Sequence, residues 1–266
     1  APMKKQGALL WLARTSTRAL ASQALAQQHA FPTAEGFGRF TKGGRGGAII
    51  EVTNLNDTGA GSLRACATAS GPRTCVFRIG GTISLASRII ITQPFLTIAG
   101  QTAPGGGIQI RNQLLTAEGP PIDIRTNDII VRHVRIRPGP PLDGYCGQAT
   151  CPTNSSMDAV LINGSRIIFD HVSFSWGNDE TFNIIGNNGT SGNSQAAPTQ
   201  DITIQWSQVY ESLRSAPNSQ GNHSRAVYNG YGAGDRITWV RNLIAHSTRR
   251  NPNLGVIGQY DHINSV

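Results

Sequence analysis

Three places along this chain carry side chains that could do chemistry together. Arg249-Arg250-Asn251-Pro252 offers two guanidinium groups near the carboxyl end, and Asp158 and Asp179 offer carboxylates upstream. Carboxylate oxygens are suitable ligands for a hard divalent cation such as Ca²⁺. A planar guanidinium can bind two oxygens of an anionic substrate at once. Taken singly, each Asp reads as a turn residue whose side chain satisfies nearby backbone N–H groups, and each Arg as a solvated surface charge. All three places, however, follow short β-rich segments that recur at similar spacing. Cation, carboxylates and look-alike strands together point to a Ca²⁺-assisted enzyme acting on an acidic polysaccharide.

The elements that must position these groups are the repeats. Asp128–Ile136, Arg166–Phe174, Asp201–Val209 and Arg236–Ile244 can be laid over one another, and Phe95–Gly100 reads as an earlier copy. Ile129, Ile167, Ile202 and Ile237 are separated by 38, 35 and 35 residues. Repetition at that period signals a solenoid or a propeller. Each copy has two bursts of β-branched or aromatic residues with a sharp corner between them. That describes one coil of a right-handed parallel β-helix, in which successive coils bury apolar faces that one coil could not bury alone. A propeller blade needs four strands, more than these repeats supply. Inserts such as 186–199 are expected as loops extruded from a corner.

Composition agrees with an all-β chain. Of 266 residues, 31 are Gly and only 14% are charged, which leaves no room for long Glu/Lys-rich helices. The net charge is +8, and Lys occurs only at positions 4, 5 and 42, so the cations are nearly all Arg. A basic surface attracts polyanions. The absence of a dense Lys/Arg run argues against nucleic acid, and no segment is long and apolar enough to span a bilayer. Residues 1–28 read as a secretory leader: Met3-Lys4-Lys5 is a positive start, Gly7–Ala13 a short apolar core and Ala24-Leu25-Ala26 a cleavage site. Residues 29–266 then form the β-helix domain. Cys66 with Cys75, and Cys146 with Cys151, form two close pairs without C-x-x-C spacing, which favours two local disulfides over zinc.

Five motifs in order resemble the pectate lyases of polysaccharide lyase family 1, over roughly residues 30–260. Phe31-Pro32-Thr33-Ala34-Glu35-Gly36-Phe37-Gly38-Arg39 resembles the opening of many bacterial members. Gly81-Thr82-Ile83 and Thr97–Gly105 look like their first coils. Asp158-Ala159-Val160 and Ile167-Ile168-Phe169-Asp170-His171 resemble the central signatures. Arg250-Asn251-Pro252 resembles the element with the catalytic arginine.

The resemblance implies secreted, monomeric cleavage of α-1,4-polygalacturonate by β-elimination, with Ca²⁺ as cofactor and unsaturated oligogalacturonates as products. It places Asp158 and Asp179 as metal ligands and Asn183 where the family often has another Asp. An Asn carbonyl can ligate Ca²⁺ but adds no charge. Ser156 also stands where some members are acidic, so the metal site reads as carboxylate-poor, with Glu180 an alternative ligand. Arg250 is the implied base, able to accept a proton only where nearby cations disfavour its own charge, and an alkaline optimum follows. Arg225 aligns with a substrate-binding Lys, and Arg249 is a further substrate contact. His171 and Asp170 read as structural. The rival readings are a pectin lyase, a polygalacturonase, which needs clustered Asp residues, and a noncatalytic glycan-binding β-helix. The chain stops soon after Arg250, where a β-helix needs further coils, so a truncation is expected.

Overall fold

A computed structural model describes residues 27–112, 119–139, 157–186, 199–214, 224–230, 234–255 and 258–266. Among these residues the chain winds into three parallel sheets of eight, six and six strands. A central coil shows the plan. Strand Ser165–Asp170 belongs to the first sheet, Ser173–Ser175 to the second and Glu180–Ile185 to the third. The chain then re-enters the first sheet at Gln200–Gln205. This is a parallel β-helix.

Register explains the repeat read from the sequence. Ile167 pairs with Ile129 on one side and Ile202 on the other, Ile202 pairs with Ile237, and Leu96 opposes Ile129. Strand side chains alternate between faces. The inward positions, Ile129 and Val131, Ile167 and Phe169, Ile202 and Ile204, Ile237 and Trp239, are all buried. Phe169, Phe174 and Phe182 meet edge to face at 4.9–5.6 Å, and Trp239 joins Phe182 at 5.0 Å. Such pairs add to the stabilisation from burial alone.

The corner between the first and second sheets turns on one left-handed residue in each coil. His133, His171, Trp206 and Arg241 occupy it on successive coils with φ of 50–57°. Each such non-glycine residue costs on the order of 1–3 kcal/mol. Their side chains form a ladder outside the corner. His133 stacks on His171 at 4.7 Å, His171 on Trp206 at 6.1 Å, and Arg241 lies over Trp206 at 5.1 Å. Trp206 stands 47% exposed on this ladder.

The opening Phe31–Arg39 motif has a structural use. It lies across the outer face of the first sheet, where Phe31 and Ala34 cover Ile130 and Ile168. Backbone N–H groups of Gly38, Phe37 and Gly44 donate to the hydroxyls of Thr203, Thr238 and Thr97 at 2.8, 3.1 and 2.9 Å. A Cβ on Gly38 would stand 2.7 Å from the Ile167 carbonyl oxygen, so only glycine permits this approach.

One end of the helix is covered by the short helix Leu63–Ala67, whose Leu63, Cys66 and Ala67 are buried. The expected disulfide Cys66–Cys75 ties that helix to strand Arg73–Phe77. The expected pair Cys146 and Cys151 lies outside the described residues, as do residues 1–26 of the leader.

Phe182 belongs to the aromatic core and lies two positions from Glu180 in the chain. Phe182→Ala is expected to destabilise the domain by about 3–5 kcal/mol, read as a lowered midpoint in urea titration.

Candidate functional site

The site forms where successive coils enter the third sheet. Glu180 opens strand Glu180–Ile185 and pairs with Arg225, which opens Arg225–Gly230. Arg225 in turn bridges to Arg249. Because Val160 pairs with Phe182, Asp158 falls level with Glu180 one coil earlier. Four consecutive coils therefore contribute Asp158, Glu180, Arg225 and Arg249 to one line. Residues far apart in sequence become neighbours only through this register.

Asp158 is 4% exposed. Its Oδ1 accepts from the Glu180 backbone N–H at 2.9 Å, and its Oδ2 from the Asn183 side-chain amide at 2.9 Å. The preceding residue is fixed by Asn178, whose Oδ1 accepts from the Met157 N–H at 2.6 Å and whose own N–H donates to the Met157 carbonyl at 3.0 Å. Arg225 Nη1 donates to Asp179 Oδ1 at 3.1 Å and reaches Glu180 Oε1 at 3.4 Å. Arg250 Nη1 donates to that same Glu180 oxygen. The Arg250 guanidinium also lies over the Tyr228 ring, 4.3 Å from its centroid. Behind the site, the hydroxyls of Thr181, Ser212 and Ser247 are joined by two 2.7 Å bonds, and Ser212 Oγ donates to the Arg225 carbonyl at 2.8 Å. This string fixes the backbone of three adjoining coils.

Electrostatics set the character of the cluster. Asp158, Asp179 and Glu180 each offer an oxygen within 4.8 Å of the others. Burial pushes the Asp158 carboxyl well above the usual carboxylate range, and the charges of Glu180 and Asp179 push the same way. The bonds from Asn183 and the Glu180 backbone oppose that shift. Burial, then Asp179, also raises Glu180, against the pull of Arg250 and Arg225. Three carboxylates facing two guanidiniums leave the cluster short of positive charge. The donors are all oxygen, and Asn183 Oδ1 is buried without a hydrogen-bond partner. An all-oxygen set with an unsatisfied carbonyl suits a hard divalent cation.

The residues singled out from the sequence are largely brought together. Asp158, Asp179, Asn183, Arg225 and Arg250 converge, whereas Arg249 is exposed and joins through its backbone. The expectation of a carboxylate-poor site is corrected: Glu180, held only as an alternative, is central. Its place two residues before Phe182, matching Asp158 before Val160, was a readable signal once coils were aligned. Tyr228 went unnoticed. It follows Arg225 by three, as Asn183 follows Glu180, and the two are paired. Ser156 lies outside the described residues. Asp170 and His171 sit apart, at the opposite end of the second-sheet strand. Asp170 accepts from Arg132 Nε and Gln205 Nε2, each at 2.7 Å, and lies 3.0 Å from His171 Nδ1, in keeping with a structural role.

No protein-family model matches the chain. It is 40% identical over 238 residues to a protein of Aspergillus terreus named "Probable pectate lyase C", covering 89% of this chain and 47% of that relative. A protein of the same name from Aspergillus fumigatus is 37% identical over 240 residues, 90% of this chain and 48% of the relative. The chain thus spans about half the length of the curated relatives it matches. Among solved structures, the crystal structure of Jun a 1, the major allergen from cedar pollen, superposes with a TM-score of 0.54 at 17% identity. That match covers 86% of this chain and 61% of the allergen and bears on the fold alone. The expected kinship with pectate lyases therefore holds in sequence, and the β-helix in structure.

The raised carboxyls give a pH dependence of stability. A carboxyl whose folded value lies above its unfolded one binds protons more tightly when folded, so stability rises as pH falls through the folded value. With chelator present, acidification from neutral pH towards the usual carboxylate range, near 4, is expected to stabilise the wild type relative to Asp158→Asn. Thermal melts of the two proteins at matched pH check this; parallel curves would contradict it.

Proposed function

We propose that this homologue of the pectate lyases cleaves polygalacturonate by β-elimination, with Arg250 as the base and Ca²⁺ held by Asp158, Asp179 and Glu180. The carrying observation is that the Arg250 guanidinium, from a coil after the last full repeat, meets a carboxylate cluster assembled by two earlier coils. Asn183, through its unpartnered carbonyl oxygen, would complete the ligand set.

The chemistry turns on a poorly acidic proton. C5 of a uronate carries its hydrogen next to a carboxylate that is already negative, so removing the proton piles charge on charge. Bound Ca²⁺ supplies the neutralisation of that carboxylate. Arg225 adds a second cation with a forked donor set, and its ties to Asp179 and Glu180 hold it beside the carboxylate cluster. Arg250 would take the C5 proton in its neutral form, which the positive charges of bound Ca²⁺ and Arg225 would favour and its contact with Glu180 opposes. The electron pair of the broken C5–H bond forms the C4–C5 double bond as the C4–O bond breaks, and the departing oxygen gains a proton. Water is not consumed, and the new chain end is unsaturated. Arg249, exposed beside this pair, contacts the polymer further along.

Secretion fits the same reading. A disulfide such as Cys66–Cys75 persists in oxidising surroundings. Among the described residues no helix is long and apolar enough to cross a membrane.

Incubation with polygalacturonate and Ca²⁺ at alkaline pH is expected to release product absorbing in the ultraviolet, and chelator to stop it. Arg250→Ala should lower the rate by about 10²–10⁴-fold, the usual worth of a general base, with urea stability retained. Arg249→Ala should leave most of the rate. Reducing ends without ultraviolet absorbance would instead mean hydrolysis.

A further inference from the structure

Glu180 raises a question of its own within that reading. Its carboxylate is the one group in the cluster contacted by both proposed functional arginines, and both reach the same oxygen, Oε1. It is also one of three carboxylates close enough to share a cation. Glu180 is 4% exposed, so water cannot readily take the place of a lost partner. A charge-assisted bond to a nearly buried carboxylate is strong and directional. Arg250, with Nη1 on Glu180 and its face on Tyr228, is held from two sides.

We propose that Glu180 is a positioning residue that couples the metal to Arg250, its carboxylate being shared so that cation binding and the Glu180–Arg250 bond oppose each other. This rests on the lyase reading. A carboxylate drawn towards a cation gives less to the arginine, and an arginine that holds the carboxylate weakens the cation's ligand set. A nitrogen that donates to Glu180 does not face a sugar proton. Cation binding therefore loosens Arg250 towards substrate, while Tyr228 keeps the guanidinium within reach. Asp179, tied to Arg225 rather than Arg250, has no such part. Linkage makes the effect reciprocal: whatever factor the cation takes from the arginine contact, the arginine takes from the cation.

Calcium titration by calorimetry in a double-mutant cycle tests this without any turnover. Arg250→Ala is expected to tighten Ca²⁺ binding about tenfold, within the ordinary span of coupled sites, in the wild-type background. In Glu180→Gln the same change should alter affinity less than about twofold. Equal tightening in both backgrounds would mean that the arginine acts only through its field, and would overturn the proposal; so would no tightening in the wild type. Should Glu180→Gln bind Ca²⁺ too weakly for calorimetry, dicarbonyl labelling of Arg250, read by peptide mass spectrometry, decides. Ca²⁺ should speed labelling severalfold in the wild type and leave it unchanged in Glu180→Gln. A labelling rate indifferent to Ca²⁺ in the wild type sinks the idea. Coupling without release of unsaturated product would overturn the lyase reading alone, and turnover without coupling would overturn this inference alone.

Discussion

Parallel register between coils is the constraint on which everything else depends. Each coil hydrogen-bonds residue for residue to the next, so a side chain's neighbours are set by where its coil begins. Glu180 meets Arg225 because Phe182 meets Val227 and Ile184 meets Asn229. A slip of one residue would turn each side chain on that strand to the other face. It would take Phe182 out of the aromatic core and the carboxylate out of the site together. Packing thus selects the register, and the register selects the site.

Against that frame of apolar stacking, the site is electrostatically uneasy. Three carboxylates are gathered where two are largely desolvated, with two arginines as partial compensation. Burying charge is costly unless it is paired and hydrogen-bonded. Such a cluster survives because the surrounding coils over-determine it: Asn178 pins Met157, Asn183 pins Asp158, and the Thr181–Ser212–Ser247 string pins the backbone behind. The β-helix contributes rigidity, and the site spends some of it on charges that a cation can relieve.

Much of this was legible in the sequence. The Ile129, Ile167, Ile202 and Ile237 spacing identified the coil, and the same four residues turn out to be stacked partners. Five of the residues picked for chemistry meet. Other features were hidden for physical reasons. The Phe31–Arg39 motif was visible as a signature, but its use, donating backbone N–H groups to threonines some 165–201 positions away, depends on long-range folding. The corner residues His133, His171, Trp206 and Arg241 share a backbone conformation but no residue type, so no local propensity announces them. Glu180 was obscured by its neighbour Asp179, since both carboxylates reach the cluster and only the register, which pairs Glu180 with Arg225, tells which is central.

A crystal structure of the Arg250→Ala variant soaked with Ca²⁺ and a short oligogalacturonate addresses the central claim most directly. The account expects anomalous signal from a cation between Asp158, Asp179 and Glu180, a uronate carboxylate on that cation and on Arg225, and a sugar C5 facing the space left by the deleted guanidinium. A cation bound elsewhere, or a sugar whose C5 points away from position 250, would contradict it.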